Sequence, residues 1–321
     1  MKSIRVVALV CLLGLAPTAA IAQTIVWTDQ DAKRIQRKDV TGGDVTTIVQ
    51  FASNQNAYTI HYDPITAKLY YLFYGPPISF QRANLDGSNP QNIPTPSWGG
   101  GFTLNVALRK LYWIKPGNVV NRSELDGTGL HTHTYPTGSL LTLEAVGEDL
   151  FFGAGGVMAK GVWRADADGS KEQFLHTTSQ PIDLAYDPVE NKVYCAGIDA
   201  IFRMNPDGSG FQVVVFLPAW QQLNSGPDHV VVDSRTRKLY WADRTAKVIQ
   251  RSNLDGSNTE DFVTASDVDN PSLDISGLTI VYSSQPIPTL SSWGLVAMGA
   301  VLIGIGVVVI KKRPNSQSMA S

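Results

Sequence analysis

Short apolar segments alternate with turn residues along most of this chain, and residues 181–216 show the pattern most clearly. Four β-rich segments follow one another there: Pro181–Tyr186, Lys192–Cys195, Ala200–Met204 and Phe211–Phe216. Asp187-Pro188 ends the first segment, and Asp207-Gly208 separates the last two. An Asp-Gly pair favours a tight hairpin because glycine accepts a positive φ. The pattern predicts a unit of four short antiparallel strands.

One short motif marks this unit six times. An apolar residue, an Arg two positions on and a Gly five positions after that Arg recur in the same order, as in Ile249–Gly256. The successive Gly residues lie 45, 40, 42, 39 and 48 positions apart. Such a period is typical of repeat folds, whose units bury their apolar faces against each other. The Arg and Gly pairs are Arg37 and Gly42, Arg82 and Gly87, Arg122 and Gly127, Arg164 and Gly169, Arg203 and Gly208, and Arg251 and Gly256.

Six such units predict an all-β fold, a six-bladed β-propeller over residues 23–285. The aromatic pairs that recur on the second strands, such as Tyr240-Trp241, are expected in the core between blades. The first unit starts at a second strand, Thr24–Trp27, whereas Pro271–Ile275 resembles a first strand without a blade. Pairing these two segments would close the ring. Leu278–Tyr282 is then a surplus strand, and a partial seventh blade is the competing interpretation.

Two segments carry a family resemblance. Lys238–Asp243 with Ile249–Gly256 resembles the YWTD repeat of the low-density lipoprotein receptor class B family, and Val26–Asp29 is a second copy of its signature. The resemblance implies a six-bladed propeller. Phe151–Ala154 departs from the signature in the fourth unit, so the family's ligand specificity does not carry over to this chain.

The N-terminus is typical of a secretory signal peptide, residues 1–22. Lys2 and Arg5 precede an uncharged apolar run, and the small residue Ala22 before Gln23 marks the predicted cleavage site. A lipoprotein signal is the alternative, with Cys11 as the lipid acceptor, but Val10 stands where a small residue is expected. Removal of the signal leaves Cys195 as the only thiol, so no internal disulfide is possible.

Residues 290–310 form an apolar stretch without a charge, followed at once by Lys311, Lys312 and Arg313. About 20 apolar residues span the hydrocarbon layer of a membrane as a helix. The basic cluster predicts that the following end lies in the cytoplasm. A buried core helix is the alternative, although a β-rich chain offers nothing to cover it.

An octet, residues 287–294, overlaps the start of this stretch, and with the span and the basic cluster it resembles the IPTL type of C-terminal sorting domain in bacterial envelope proteins. The resemblance implies an exosortase-like partner that cleaves near the motif and transfers the protein to the cell surface or an extracellular matrix. A plain membrane anchor is the alternative. Residues 286–313 make up this region, and 314–321 form a short tail. The octet consists of Ile287, Pro288, Thr289, Leu290, Ser291, Ser292, Trp293 and Gly294.

Composition limits the partners. Charged residues make up 17% of the chain and the formal net charge is −2, so no nucleic-acid partner is expected. The Arg column is predicted to brace neighbouring blades, because a guanidinium makes several hydrogen bonds. A ring of anion-binding arginines is its alternative. The acidic turns around Asp168 and Asp207 lack the ligand spacing of an EF-hand loop.

Two groups of side chains are candidate sites. His131 and His133 face the same side of a strand and are either a metal pair or part of a solvated outer edge. Asp183, Asp228, His229 and Asp274 lie on predicted inner strands around the channel, but at positions that do not match from blade to blade. No nucleophile elbow is visible.

The sequence therefore predicts an exported propeller that acts as a non-catalytic binding module for a surface protein or glycan. We predict no cofactor, no metal site and no catalytic residue. The alternatives are a metal-dependent, lactonase-like or lyase-like enzyme that uses the channel, and a structural component of the matrix. The expected location is the cell envelope, and after sorting the cell surface or the extracellular matrix.

Overall fold

The computed structural model describes residues 23–95, 101–136, 138–156, 160–178, 180–216, 227–243, 245–270 and 272–282. All of them fall within one unit of the chain, 22–282. Over these residues the chain forms six antiparallel sheets of four strands each, which are the blades of a β-propeller. The predicted all-β, six-bladed fold is confirmed.

Each blade takes four strands that are consecutive in the chain, except the first. Blade 1 contains β1 (Gln23–Asp29), β2 (Arg34–Asp39) and β3 (Thr46–Gln50); blade 2 contains β4 (Asn56–Asp63), β5 (Lys68–Tyr74), β6 (Ser79–Asn84) and β7 (Gln91–Ile93); blade 3 contains β8 (Phe102–Asn105), β9 (Lys110–Lys115), β10 (Val119–Glu124) and β11 (His131–Thr134). Blade 4 contains β12 (Leu140–Val146), β13 (Asp149–Ala154), β14 (Gly161–Asp166) and β15 (Gln173–Thr177); blade 5 contains β16 (Pro181–Asp187), β17 (Lys192–Gly197), β18 (Ala200–Met204) and β19 (Gln212–Phe216); blade 6 contains β20 (Pro227–Asp233), β21 (Lys238–Asp243), β22 (Val248–Asn253) and β23 (Glu260–Val263). A short 3-10 helix (Ala265–Asp267) and β24 (Ile275–Tyr282) follow.

The ring closes through β24, which pairs with β1 and supplies the innermost strand of blade 1. Closure by a C-terminal strand was predicted, but the segment was wrong. Pro271–Ile275 is not that strand, and Leu278–Tyr282 is not surplus, because one continuous strand from Ile275 to Tyr282 takes the inner place. Seven of its eight residues are buried, which explains why this segment, and not the preceding one, packs inside the ring. With β24 placed, the partial seventh blade is also wrong.

The core lies between neighbouring blades, as the recurring aromatic pairs predict. Trp27, Trp113 and Trp241 of the second strands are fully buried. Trp27 shares one apolar cluster with Tyr240 of blade 6 and Leu278 of β24, so the last blade packs against the closing strand. Interlocked aromatic side chains of this size contribute much of the stability of such interfaces.

The repeated Arg residues bind the next blade at three positions. The guanidinium of Arg122 donates to the carbonyl oxygen of Ala167 at 3.1 Å. Arg203 donates to the carbonyl oxygen of Leu254 at 3.3 Å, and Arg251 to that of Val40 at 2.8 Å. The predicted bracing role is confirmed there. Arg82 and Arg164 instead bond within their own blades, to Gln91 and Asp149.

No helix among the described residues is long and apolar enough to cross a membrane. The predicted signal peptide, the apolar stretch 290–310, the octet Ile287–Gly294 and the basic cluster lie outside the residues that the structure describes.

Candidate functional site: the central channel

Six inner strands surround a channel at the centre of the ring. Each of the strands β24, β4, β8, β12, β16 and β20 contacts the next one around the ring. They enclose a cavity of about 340 Å³. Consecutive residues of these strands line the cavity, for example Leu143 with Glu144 and Ile182 with Asp183.

The strand pairings place the channel-facing side chains in two layers. Thr142, Asp183 and His229 are at equivalent positions of blades 4, 5 and 6, each just after a register shift. Two residues further along their strands, Glu144, Ala185 and Val231 form the second layer. The equivalent positions of blades 1, 2 and 3 hold Thr279, His61 and Thr103. Thr279 and His61 line the cavity, whereas Thr103 is buried outside its lining.

Asp183 is the centre of the first layer. Its Oδ2 accepts a hydrogen bond from the backbone N–H of Val230 at 3.0 Å, and its Oδ1 accepts one from the hydroxyl of Thr142 at 3.3 Å. Nδ1 of His229 lies 3.6 Å from Oδ2. The side chains of Asp183 and His229 are 24% and 20% exposed, so water in the channel reaches both. The carboxylate is thus held in place yet accessible.

Glu144 is the acidic group of the second layer. The hydroxyl of Thr103 donates to its Oε2 at 2.9 Å. Burial raises the pKa of Glu144 to about 8; the Thr103 hydrogen bond lowers it in part, and the charge of Asp183 raises it further. Glu144 nevertheless keeps an intermediate exposure to solvent. At neutral pH much of this carboxyl is protonated.

His61 faces the same space from blade 2. Its Nε2 lies 2.6 Å from the carbonyl oxygen of Phe102, and its ring packs edge-on against the Phe102 ring. Burial lowers the pKa of His61 to about 4, against smaller opposing effects of Asp183 and of the Phe102 carbonyl. The imidazole is therefore neutral at pH 7, with the Nε2 proton donated to the carbonyl.

The structure brings two of the four predicted channel residues together. Asp183 and His229 are neighbours, and they do occupy matching positions, contrary to the prediction. The match can be counted along the sequence, because Asp183 and His229 each stand 11 residues before the first ring of the second strand, Tyr194 or Tyr240. Asp228 and Asp274 lie outside the lining of the cavity as far as the structure describes it.

Sequence reasoning missed Glu144 and His61. The signal was available, because both residues lie opposite the first ring of an aromatic pair, Phe151 in one case and Tyr70 in the other. Those rings belong to the recurring second-strand pattern, so alignment of the blades on them places both polar side chains at one level of the channel.

The other sequence candidates are elsewhere. His131 and His133 lie on the outer strand β11, and His131 is exposed. Asp168 uses one carboxylate oxygen to accept bonds from the N–H and the hydroxyl of Ser170, within its own turn. Among the described residues, no three His, Cys, Asp or Glu side chains are grouped so that they could hold a metal ion.

Cys195 is fully buried behind Asp183, and burial raises the pKa of its thiol, with a smaller contribution from the Asp183 charge. A thiol in such surroundings is unreactive, because the thiolate is the nucleophile.

Residues 285–308 match the family model of the IPTL-CTERM motif. No curated protein is similar enough in sequence to count as a relative. The fold is similar to a chain in the crystal structure of a nidogen/laminin complex, with a TM-score of 0.68 and 16% identity over 80% of this chain and 98% of that chain. A putative TolB from Agrobacterium tumefaciens gives a TM-score of 0.54 and 14% identity over 75% of this chain and 88% of that one.

A gluconolactonase from Xanthomonas campestris also shares the fold, with a TM-score of 0.54 and 15% identity over 74% of this chain and 84% of that chain. Propellers at this level of identity include enzymes and proteins solved as complexes. The likeness therefore shows the fold, and the function has to be argued from the channel of this chain.

Proposed function

We propose that this chain is an exported β-propeller that is sorted to the cell surface or the extracellular matrix and binds a partner protein, without catalysis, at the mouth of its central channel. The observation that carries the proposal is the channel itself. It is a cavity of about 340 Å³ inside the ring, where Asp183, His229, Glu144 and His61 converge beside apolar residues. Concave sites with a few convergent polar groups are typical of binding sites.

Export and sorting are supported by the C-terminal motif. In the proposed route, cleavage between Ala22 and Gln23 releases the exported chain, and the apolar stretch with its basic cluster halts it in the membrane. An exosortase-like enzyme then cuts near Pro288. The propeller is thereby fixed on the outer side, where a binding face is useful.

Capture from envelope extracts tests the binding proposal. Val231 faces the channel, whereas Val213 is 54% exposed on the outer strand β19. We expect Val231→Trp to abolish capture of specific partners because the indole fills the channel, while the matched control Val213→Trp captures the same set as the wild type. Thermal melting confirms that both variants fold. Equal capture by the two variants, or no specific capture by the wild type, contradicts the proposal.

A second candidate is a hydrolase that uses the channel. It is favoured by one observation, namely that Glu144, with its raised pKa, and the Asp183 and His229 pair face one cavity. Perturbed acids in a cleft are candidates for acid and base catalysis. A panel of lactones, assayed with and without calcium, tests it. Turnover that Glu144→Gln abolishes would replace the binding proposal, and the absence of turnover leaves the binding proposal in place.

A further inference from the structure

The charges that line the channel are unbalanced. Glu144 and Asp183 face the cavity, and no Lys or Arg lines it in the part of the chain that the structure describes. The Nε2 atom of His61 already forms a hydrogen bond with the Phe102 carbonyl oxygen. Among the described residues, His229 is the basic group that approaches Asp183, with Nδ1 at 3.6 Å from Oδ2. Buried carboxyl groups are normally paired with a cation, so this cavity lacks the charge that its acids would hold best.

The two acids share the cavity with both polar and apolar residues. Phe102, Leu143 and Ile182 are among the apolar ones. The described residues contain no grouping of three His, Cys, Asp or Glu side chains that could hold a metal ion. A cation on a hydrocarbon stem suits the channel better, because its stem contacts the apolar residues while its head reaches the carboxyls.

We propose that the channel binds a primary ammonium group on an aliphatic stem, presented by the partner protein as a lysine side chain. This inference rests on the proposed binding function and specifies its anchor. The ammonium lies between Glu144 of β12 and Asp183 of β16, where its three N–H donors meet carboxylate oxygens of both layers. A lysine with its four-carbon stem fits within 340 Å³.

The protonation state of Glu144 supports the inference. Burial raises its pKa to about 8 because no cation compensates the ionised form. A bound ammonium supplies that compensation, so binding at pH 7 releases a proton from Glu144 to the buffer. The other titratable groups that face this space are Asp183, His61 and His229, with Tyr186 and Tyr282 at the lining. His61 is already neutral at pH 7 and does not contribute to the release.

Calorimetric titration of the full chain tests the inference with Nα-acetyl-lysine amide as the ligand. We expect saturable binding that releases about one proton per site at pH 7, measured in two buffers of different ionisation enthalpy. The same compound acetylated at Nε has the same stem without the charge, and we expect no binding of it. Glu144→Gln and Asp183→Asn each weaken binding by about tenfold or more. Asp44→Asn, which removes one negative charge from an exposed site, leaves it unchanged.

Each outcome bears on the inference. Equal binding of the two lysine compounds, or no binding of either, overturns it. Tighter binding of glucosamine than of the lysine compound also overturns it, in favour of a glycan ligand. If Glu144→Gln does not fold, the inference is still tested by the proton release of the wild type and by the weakened binding of the Asp183→Asn variant. If Val231→Trp loses capture but the wild type binds no lysine compound, the ammonium anchor is contradicted and the binding function stands. Equal capture by Val231→Trp and Val213→Trp contradicts the binding function itself.

Discussion

Gly256 and Gly42 occupy the same position of the repeat, but their surroundings differ. Both have a positive φ, +83° and +114°. A Cβ atom on Gly256 would lie 1.8 Å from the backbone oxygen of Val214 in the preceding blade, whereas one on Gly42 would meet no described atom within 4 Å. The sequence predicts the hairpin role of both residues. The close approach between blades at Gly256 follows only from the assembled ring.

Alanine substitutions separate these two requirements. Gly42→Ala introduces only the strain of a positive φ and costs about 1 kcal/mol, whereas Gly256→Ala adds a clash with backbone and costs about 2 to 4 kcal/mol. For a domain of this size we expect Gly42→Ala to lower the melting temperature by about 3 °C and Gly256→Ala to lower it by about 6 °C or more. Differential scanning calorimetry measures both. Equal losses would show that the contact with Val214 is unimportant.

Glu144 and His61 predict a particular pH dependence of stability. The raised pKa of Glu144 means that the folded state holds its proton longer than the unfolded chain, so this group destabilises the fold as pH rises from about 4.5 to 8. The lowered pKa of His61 has the opposite effect between pH 4 and 6.5, where stability rises with pH. The effects of these two groups on stability oppose each other below pH 6.5. Above pH 6.5, Glu144 is the one of the two that still changes the stability.

Denaturant unfolding at pH 6.5 and at pH 8.5 measures this effect. We expect the wild type to lose about 1 to 3 kcal/mol of unfolding free energy over this interval. This range already allows for screening of the Glu144 charge by water in the channel. Glu144→Gln cannot ionise and is expected to lose little. A wild type with constant stability, or an equal loss in the variant, contradicts the assignment of Glu144.

At the scale of elements, strand patterns predict most of the blades, because apolar alternation and Asp-Gly turns are local signals. They fail at β24, since a match to the first strand of other repeats favoured Pro271–Ile275 while burial inside the ring favours Ile275–Tyr282. For the channel they succeed in part. Asp183 and His229 each stand four residues before the aspartate that ends their strand, so their equivalence can be counted, whereas the contact between them follows only from the assembled ring.

Shortened chains test the closing strand. A chain of residues 23–282 retains β24 and is expected to unfold cooperatively, whereas a chain of residues 23–274 leaves β1 without its inner partner and exposes the apolar cluster around Trp27. We expect the shorter chain to be unfolded or aggregated. Circular dichroism and size-exclusion chromatography compare the two. A shorter chain with the same melting temperature would mean that β24 does not close the ring.

At the scale of the whole molecule, ion pairs join the blades around the ring. Arg109 of blade 3 contacts the buried Asp63 of blade 2 with both guanidinium nitrogens, at 2.7 and 2.8 Å. Arg237 of blade 6 contacts the buried Asp187 of blade 5 at 2.8 Å. Burial alone raises the pKa of Asp63, but the bonds from Arg109 and Thr66 outweigh it and hold that pKa below its usual range. Because Asp63 and Asp187 end the inner strands β4 and β16, these contacts hold the ends of those strands against the next blade.

Sorting also belongs to this scale. We expect the surface form of the protein to lack its C-terminal tail, because an exosortase-like enzyme removes it near Pro288. Mass spectrometry of the surface form measures the C-terminus directly. Pro288→Ala together with Trp293→Ala is expected to retain the full tail and to stay in the membrane fraction. An intact Ser321 on the wild-type surface form would show that the motif is only an anchor.

Entry of the partner into the channel can be tested in intact cells. A photo-crosslinking amino acid is incorporated at Val231, inside the channel, and in a second variant at Val213, on the outer strand. Mass spectrometry then identifies the crosslinked peptides. We expect a partner peptide joined to position 231 and none joined to position 213. Crosslinks from position 213 alone would mean that the partner binds elsewhere.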